Sequence, residues 1–293
     1  MEIAVQVLIN GLLIGGAFAL ISIGLTLIFG VTKIINFAHG EFLMLAMYAA
    51  YFLSVWGVNP YAAIFIICPL FYLLGAVAYK LVVDPVINAS ALAQLLVTLG
   101  LSIFLQNAAL FFFSGTMRSL DIPVRSIDLG GLVISKSRLI AFVIALIVTL
   151  ALFELLSRTW PGKAIRATAM DKQVALLMGI DVSKTYLMAF AIGTATVGIA
   201  GAVLAPMFST YPMVGAQFGL LSFVIVVLGG LGDFKGAFLG GLVIGLVDSV
   251  SGYLLTTGSK EAVYFVIFLL VLVVRPSGLM GLFSNLRGAG AKL

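Results

Sequence analysis

Charged side chains are scarce in this chain of 293 residues. Asp, Glu, Lys and Arg make up 9% of it, while 62% is hydrophobic. A soluble domain carries roughly a quarter charged residues, so the composition excludes a water-soluble fold. The single cysteine, Cys68, cannot form an intrachain disulfide, and the single histidine, His39, cannot supply the histidine pair of a zinc hydrolase. We expect no bound metal.

Motifs for nucleotide hydrolysis and nucleophilic catalysis are also missing. Gly162-Lys163 is followed by Ala164 and lacks the upstream glycine of a phosphate-binding loop. No Gly-x-Ser-x-Gly elbow accompanies His39 as the base of a serine triad. We therefore expect no catalytic residues and no cofactor bound by this chain, with an intramembrane enzyme as a minor alternative. The net charge of +5 lies mostly in loops, which suits lipid head groups and not nucleic acid.

Long apolar sequence is what the chain does contain. Four runs have no charged residue: Ile3–Thr32, Phe42–Tyr79, Pro85–Met117 and Thr185–Gly232. A helical crossing takes about 20 residues, and the alternation of a β-barrel is absent. We therefore predict an all-α polytopic membrane protein, a single transmembrane domain over residues 1–293 with 8–9 helices.

The predicted membrane segments are Val5–Phe29, Phe42–Trp56, Tyr61–Tyr79, Ala91–Ser114, Leu139–Leu156, Leu187–Phe208, Phe218–Leu228, Ala237–Leu255 and Ala262–Val274. Phe218–Leu228 is short enough to be a half-helix. Cationic loops set the orientation: with Ser157–Thr185 in the cytosol, eleven Lys and Arg fall inside and five outside. The N-terminus is then predicted outside and the C-terminus in the cytosol.

Two polar stretches interrupt the apolar sequence. Ser157–Thr185 is basic and rich in helix formers. Pro161 suits a helix start, Gly179 a stop, and Asp181 a cap for the next helix. We predict one short amphipathic helix with an apolar stripe of Ile165, Ala169, Leu176 and Ile180. The second stretch, Gly115–Ser137, predicts a small lid, a short hairpin or a plain solvated connector; its members Arg118, Asp121, Arg125 and Asp128 alternate in sign.

A few polar groups fall inside or beside the apolar runs. Asp248 lies within a predicted helix, where an ionisable group faces a cavity, a partner or the bundle interior. His39 and Glu41 lie near the start of the second helix. There Glu41 either contacts a solute or has only a solvated or helix-N-terminal role, favoured by the helix dipole. The stretch Thr32–Phe42 is either a plain loop or irregular backbone lining a cavity, with Asn36 able to contact a polar solute.

Glycine pairs at four-residue spacing, Gly11 with Gly15, Gly236 with Gly240 and Gly241 with Gly245, predict closely packed helices. A faint echo between His39–Leu43 and Lys235–Leu239 is compatible with an internal repeat or with chance.

Four blocks, taken together, resemble a known family. They are Asn36-Phe37-Ala38-His39-Gly40-Glu41-Phe42, Gly162-Lys163-Ala164-Ile165-Arg166-Ala167 with Ala175, Met178, Gly179 and Ile180, Gly229-Gly230-Leu231-Gly232 with Gly236-Ala237, and Arg275-Pro276-Ser277-Gly278-Leu279. In this order they resemble the permease subunits of bacterial ABC importers for branched-chain amino acids, and in particular the shorter of the two paired permeases.

The resemblance implies a set of partners. These are a second homologous permease subunit, two cytosolic ATPase subunits that use the ATP, a periplasmic or lipid-tethered solute-binding protein, and the lipid of the bacterial inner membrane. It implies that the cytosolic stretch is the coupling helix, with contacts to the ATPase by Gly162, Lys163, Arg166, Ala167, Asp171, Ala175 and Gly179, and that the outer loop helps to seat the binding protein.

The candidates for the translocation path are Asn36, Phe37, His39, Glu41 and Asp248. Branched-chain or other hydrophobic amino acids are the expected solutes. Urea, short amides and organic or aromatic acids are alternatives for the same permease type, and an ion-coupled carrier or a channel is the alternative of a different class.

Overall fold

The computed structural model describes residues 2–120, 126–129, 132–255, 260–274 and 278. Its elements, in chain order, are α1 (Glu2–Thr32), α2 (His39–Val55), α3 (Ile64–Ala78), α4 (Ala91–Phe113), β1 (Ser126–Leu129), β2 (Leu132–Ser135), α5 (Lys136–Arg158), α6 (Trp160–Met170), α7 (Lys172–Leu177), α8 (Val182–Leu204), α9 (Val214–Gly229), α10 (Phe234–Leu254) and α11 (Lys260–Val274).

The helical membrane class is confirmed. Within the described ranges, 6 helices are long and apolar enough to cross a membrane. Each predicted segment corresponds to one helix, with ends displaced by a few residues. The largest extension follows α3, which continues beyond Ala78 as a π-helical turn, Tyr79–Val83, and a 3₁₀ turn, Asp84–Val86. Among the described residues, the β-structure with named strands is one short antiparallel hairpin of β1 and β2.

The two ends of the bundle carry different structures. At the end called here the hairpin end, the backbone amide of Val133 in β2 donates to the side chain of Gln6 in α1 at 2.9 Å. At the opposite end, called the α6–α7 end, the ammonium of Lys172 donates to Asn88, just after α3, at 3.1 Å. In the predicted loop Gly115–Ser137, residues 121–125 and 130–131 lie outside the described residues, and so does the block 275–279 except Gly278.

The helices form an inverted repeat. The first unit is α1 to α4 and the second is α8 to α11, with α5 to α7 between them. Helix α1 runs from the hairpin end and α8 runs towards it. The packing repeats accordingly: α1 packs on α10 as α8 packs on α3, and α2 packs on α8 as α9 packs on α1. Such opposed repeats are a common plan of membrane transport proteins.

The sequence echo of His39–Leu43 and Lys235–Leu239 does not mark this repeat. His39 begins α2, whereas Lys235 lies at the start of α10. In the structure α2 corresponds to α9, so the two similar stretches occupy non-equivalent places.

Glycine spacing explains how tightly the first and last halves interlock. A methyl group built on Gly15 of α1 would lie 2.9 Å from the carbonyl oxygen of Gly241 in α10, and one on Gly11 would lie 2.8 Å from the Cα of Leu246. Only hydrogen fits between these backbones, so the predicted packing role of the glycine pairs is confirmed. Close backbone approach gives van der Waals and weak C–H···O contacts where lipid supplies no hydrophobic drive.

Candidate functional site

Two half-helices meet near the middle of the bundle. Helix α2 has 17 residues and α9 has 16, and each begins next to the other. The side chain of Glu41, in the first turn of α2, contacts Gly215, in the first turn of α9, and also Ser102, the twelfth of the 23 residues of α4. Gly40, Glu41, Ser102, Gly215 and Gly219 are called the mid-bundle junction below.

The half-helices follow irregular connectors that reach inwards from opposite ends. Residues 33–38 lead from the α6–α7 end to α2, and residues 205–213 lead from the hairpin end to α9. The predicted interruption at Thr32–Phe42 is therefore present, although helix resumes at His39 instead of Phe42. Non-helical backbone at membrane depth survives where protein or a cavity surrounds it.

Glu41 is the charged residue of the junction. It is buried, its Oε1 accepts a hydrogen bond from the Ser102 hydroxyl at 3.3 Å, and its Oε2 has no hydrogen-bond partner among the described residues. No lysine or arginine of the described part of the chain pairs with it. An unpaired buried carboxyl is costly unless a ligand or a proton satisfies it, so this position can receive a cationic or hydrogen-bonding group.

Asn36 and His39 also keep unsatisfied atoms. The Nε2 of His39 lies 2.9 Å from the carbonyl oxygen of Ile21 in α1, and its Nδ1 has no partner within the described chain. The amide oxygen of Asn36 accepts from the backbone of Ala38 at 3.1 Å, while the Asn36 Nδ2 finds no described partner. His39 faces α1 and α8, whereas Glu41 faces α4 and α9, so the two do not share one pocket.

Phe37 differs from its buried neighbours because 43% of it is exposed. It stands on the outer surface of the connector beside α2. The predicted block from Asn36 to Glu41 is thus one place in the fold, with side chains that point to different sides.

Asp248 lies apart from that group, towards the hairpin end of α10. Its carboxylate is 3.6 Å from the ammonium of Lys260 and accepts a hydrogen bond from the hydroxyl of Tyr264, both in α11. These three residues line a cavity of about 560 Å³ whose other walls are mostly apolar and include Phe18, Phe208, Phe218, Leu221 and Val224. Opposite charges at the rim of an apolar cavity suit a small zwitterion with a hydrocarbon side chain.

The basic stretch forms two helices, which corrects the prediction of one. Helix α6 begins after Thr159, whose hydroxyl accepts from the Gly162 amide at 3.2 Å. At Asp171 the backbone is extended, and the Asp171 carboxylate accepts from the amides of Gln173 and Val174 at 2.8 and 3.0 Å. The capping aspartate therefore ends α6 and starts α7.

Gly179 and Asp181 act as predicted. Gly179 has φ +78°, a left-handed conformation that favours glycine, and it terminates the helical path after α7. The Asp181 carboxylate accepts from the Lys184 amide at 3.0 Å and caps α8. This backbone hydrogen bond, together with the Lys184 ammonium at 3.1 Å, lowers the pKa of Asp181.

The stretch is anchored on one side and bare on the other. Gly162, Ile165 and Ala175 are buried, and a methyl group on Gly162 would lie 2.5 Å from the Cα of Leu156 in α5. Leu176, predicted on the apolar stripe, is instead exposed. It belongs to an exposed apolar surface formed with Val174 and with Met170, Leu177 and Met178, which are 88%, 87% and 77% exposed.

The predicted coupling residues divide in the same way. Lys163, Arg166, Asp171 and Gly179 are exposed, Ala167 is half-buried, and Gly162 and Ala175 are buried. The side chain of Arg166 donates to the carbonyl oxygen of Ser157 at 3.2 Å. Exposed apolar side chains flanked by cations are typical of surfaces that bind a partner.

Sequence reasoning missed a link at the hairpin end. Arg118 and Thr210 exchange two backbone hydrogen bonds of 2.9 and 2.7 Å, and the hydroxyls of Ser119 and Ser209 are 2.9 Å apart. The Arg118 guanidinium lies over the rings of Tyr51 and Phe52 at 5.6 and 5.2 Å. These contacts join the outer loop to the connector that leads into α9. A pairing between residues so far apart in sequence has no local sequence pattern from which it could be predicted.

In the part of the chain that the structure describes, no three His, Cys, Asp or Glu side chains gather as a metal would need. A multi-pass helical bundle built from an inverted repeat, with opposed half-helices and irregular connectors between them, is typical of membrane transport proteins. The chain belongs to the family described as branched-chain amino acid transport system / permease component, whose pattern it matches over residues 7–274.

Relatives in bacteria and in Methanocaldococcus jannaschii are similar to it over nearly their full length. It is 32% identical over 300 residues to LivH of Escherichia coli, a high-affinity branched-chain amino acid transport system permease protein, covering 94% of this chain and 95% of that one. BraD of Pseudomonas aeruginosa is 32% identical over 296 residues with the same shares. The probable LivH of Methanocaldococcus jannaschii is 26% identical over 292 residues, covering 94% and 92%. No solved structure gives a significant match.

Proposed function

We propose that this chain forms half of the translocation path of an ATP-driven importer for branched-chain or other hydrophobic amino acids, without catalysing a reaction itself. The observation that carries the proposal is the projection of α6 and α7. It holds exposed apolar side chains beside Lys163 and Arg166, while the chain has no phosphate-binding loop of its own. A second permease, two ATPase subunits and a solute-binding protein complete the assembly, as the family and the relatives suggest.

The projection is the proposed coupling element. Its anchored side rests on α5 through Gly162, so a push on the exposed side moves α5 and the neighbouring start of α8. The exposed apolar surface is suited to a groove on an ATPase, and the flanking cations to acidic groups at its rim. ATP is bound by those subunits and not by this chain.

The proposed path runs from the hairpin end to the mid-bundle junction. The Asp248–Lys260 pair supplies one group of each sign for the α-amino and α-carboxyl groups of a solute, and the cavity wall is apolar enough for an aliphatic side chain. The first turn of α9 lines this cavity through Gln217 and Phe218 and touches Glu41 through Gly215. Glu41 is then the next group able to accept a hydrogen bond from an ammonium.

The proposed orientation places the α6–α7 end in the cytosol and the hairpin end outside the bacterial inner membrane, with the N-terminus outside and the C-terminus inside. The clustering of Lys163, Arg166, Lys172 and Lys184 at one end supports it. Single cysteines at Asp171 and Ile127, in a chain with Cys68 replaced, test it. A membrane-impermeant thiol reagent added to whole cells should label only the second position, and the reverse pattern overturns the orientation.

Uptake by the whole importer in proteoliposomes tests the function. Arg166→Glu and Gly179→Pro should leave ATP hydrolysis but abolish coupled leucine uptake, because the first reverses a docking charge and the second cannot adopt φ +78°. Lys184→Gln, at the same end but paired with Asp181, is the matched control.

Parental uptake by both coupling variants contradicts the coupling assignment. Uptake by this chain alone, without ATPase subunits, favours an ion-coupled carrier or a channel. A transport signal for urea, short amides or organic acids, and none for leucine, valine or isoleucine, corrects the solute.

A further inference from the structure

A second large cavity lies at the α6–α7 end of the bundle. It measures about 590 Å³ and is enclosed by the ends of α1 and α5, by α6, and by the turn between α9 and α10. Three cationic side chains line it, those of Lys33, Arg166 and Lys235, and Asp233 is the acidic one among the described lining residues. Arg166 and Met170 of the α6–α7 projection also line this cavity, but the proposed path does not use it.

Its positive charge is not neutralised within the described chain. The single acid, Asp233, is engaged as a helix cap, since its carboxylate accepts from the Gly236 amide at 2.8 Å. Elsewhere among the described residues, four cations have a carboxylate within 4 Å: Lys80, Arg158, Lys184 and Lys260. The three cations of the cavity have none among the residues that the structure describes. A cluster of like charges without counter-charge attracts an anion.

The inner wall of the cavity is apolar. Leu27 and Val31 of α1 face Phe153 and Leu156 of α5 across it. The ammonium of Lys235 lies 5.8 Å from the ring centre of Phe153. Phe153 is half exposed and stands five residues before the end of α5, on the side of that helix that is bare of protein. The wall thus continues onto a surface that hydrocarbon covers in a membrane.

We propose that this cavity binds the head group of an anionic phospholipid, with the phosphate between Lys33 and Lys235 and an acyl chain along α5 at Phe153. The combination of a cationic rim and an apolar wall fits an amphiphile. A free phosphate would contact only the cationic rim. An acidic side chain of a docked protein would likewise leave the apolar wall inside the bundle without a contact. Basic pockets between membrane helices recognise anionic head groups in this way.

Binding can be measured on the full chain purified in detergent, by native mass spectrometry with phosphatidylglycerol and phosphatidylcholine. The parent should prefer phosphatidylglycerol. Each lysine beside an anionic head group contributes a factor of roughly five, so Lys33→Gln combined with Lys235→Gln should weaken that binding about 25-fold. The charge-conserving pair Lys33→Arg with Lys235→Arg should retain it. Arg158→Gln combined with Lys184→Gln removes two cations from the same end but outside the cavity, and should change the affinity less than threefold.

The proposal is overturned if the glutamine pair binds phosphatidylglycerol as the parent does, or if the parent binds both lipids equally. It is overturned in favour of a free-anion site if millimolar inorganic phosphate displaces the lipid. Loss of ATPase association in the glutamine pair with unchanged lipid affinity assigns the cations to a protein partner and also overturns it. If the glutamine pair does not fold, a phosphatidylglycerol with a photoreactive acyl chain decides the matter, since it should label α5 in the parent.

Discussion

Gly40 gives the sharpest test of the mid-bundle junction. A methyl group built there would lie 2.8 Å from both the Cα and the amide nitrogen of Gly219, and it would also overlap the carbonyl oxygen of Gly215. An ordinary carbon–carbon contact is about 3.5 Å, so Gly40→Ala must separate α2 from α9 by roughly 0.7 Å or more. Backbone on both sides cannot rotate away as a side chain can. We expect a loss of about 3 kcal/mol, the upper part of the usual overpacking range.

Gly100→Ala is the matched control, because Gly100 lies within α4 and a methyl group there meets nothing within 4 Å. Alanine in a helix is favoured over glycine by about 0.5–1 kcal/mol, so this variant should be as stable as the parent or slightly more so. Thermal and denaturant unfolding of the detergent-purified chains compares the two. Equal stability of Gly40→Ala and Gly100→Ala would refute the close approach of α2 and α9.

Three further outcomes are expected. Gly162→Ala should loosen α6 from α5, seen as faster proteolysis of the α6–α7 projection, and unchanged cleavage would contradict the packing on Leu156. Glu41→Gln should raise the KM of leucine uptake about tenfold or more, since a hydrogen bond to a charged group contributes about 1.5–3 kcal/mol. The thermal stability of this variant should stay the same or rise. An unaltered KM would show that Glu41 does not contact the solute. Asp181 has a lowered pKa, so its contribution to stability is present above about pH 4 and disappears as the pH falls through the folded-state value. The difference in the free energy of unfolding between the parent and Asp181→Ala should therefore shrink from pH 7 to pH 3. A difference that stays constant argues against the cap.

Much of the architecture could be predicted because it depends on local composition. Charge-free runs revealed the membrane helices, and glycines four residues apart marked the surfaces where α1 and α10 meet. Gly179 and Asp181 announced a helix stop and a cap through backbone geometry that few residue types satisfy. These signals depend on residues within one or two helical turns of each other, so they can be recognised directly in the sequence.

The depth of α2 could not be predicted in the same way. Hydropathy reports that a segment is apolar but not where along the membrane normal it begins. The contacts of Glu41 with Ser102 and Gly215 join three distant parts of the chain, and the exchange between Arg118 and Thr210 joins two. Such pairings are decided by tertiary packing.

The break at Asp171 did have a local signal, an acidic residue able to accept from the amides two and three residues later. Strong helix formers on both sides concealed it, and a single continuous helix was predicted there. The same break explains the wrong prediction for Leu176. In one unbroken helix Leu176 would lie on the same face as Ile165 and Ala169, but because α7 starts anew at Asp171, Leu176 is exposed instead.

The interlocking of the two repeat units has a consequence for biosynthesis. The polar first turn of α2 is sheltered by glycines of α8 and α9, and α1 finds its main neighbour in α10, all of which leave the ribosome long after α2 does. The amino-terminal half therefore cannot complete its own packing as it is made, and the nascent start of α2 must wait, beside the insertion machinery or near the lipid surface, until the carboxyl-terminal half arrives. Severing the chain between the halves would leave two fragments that each need the other in order to fold.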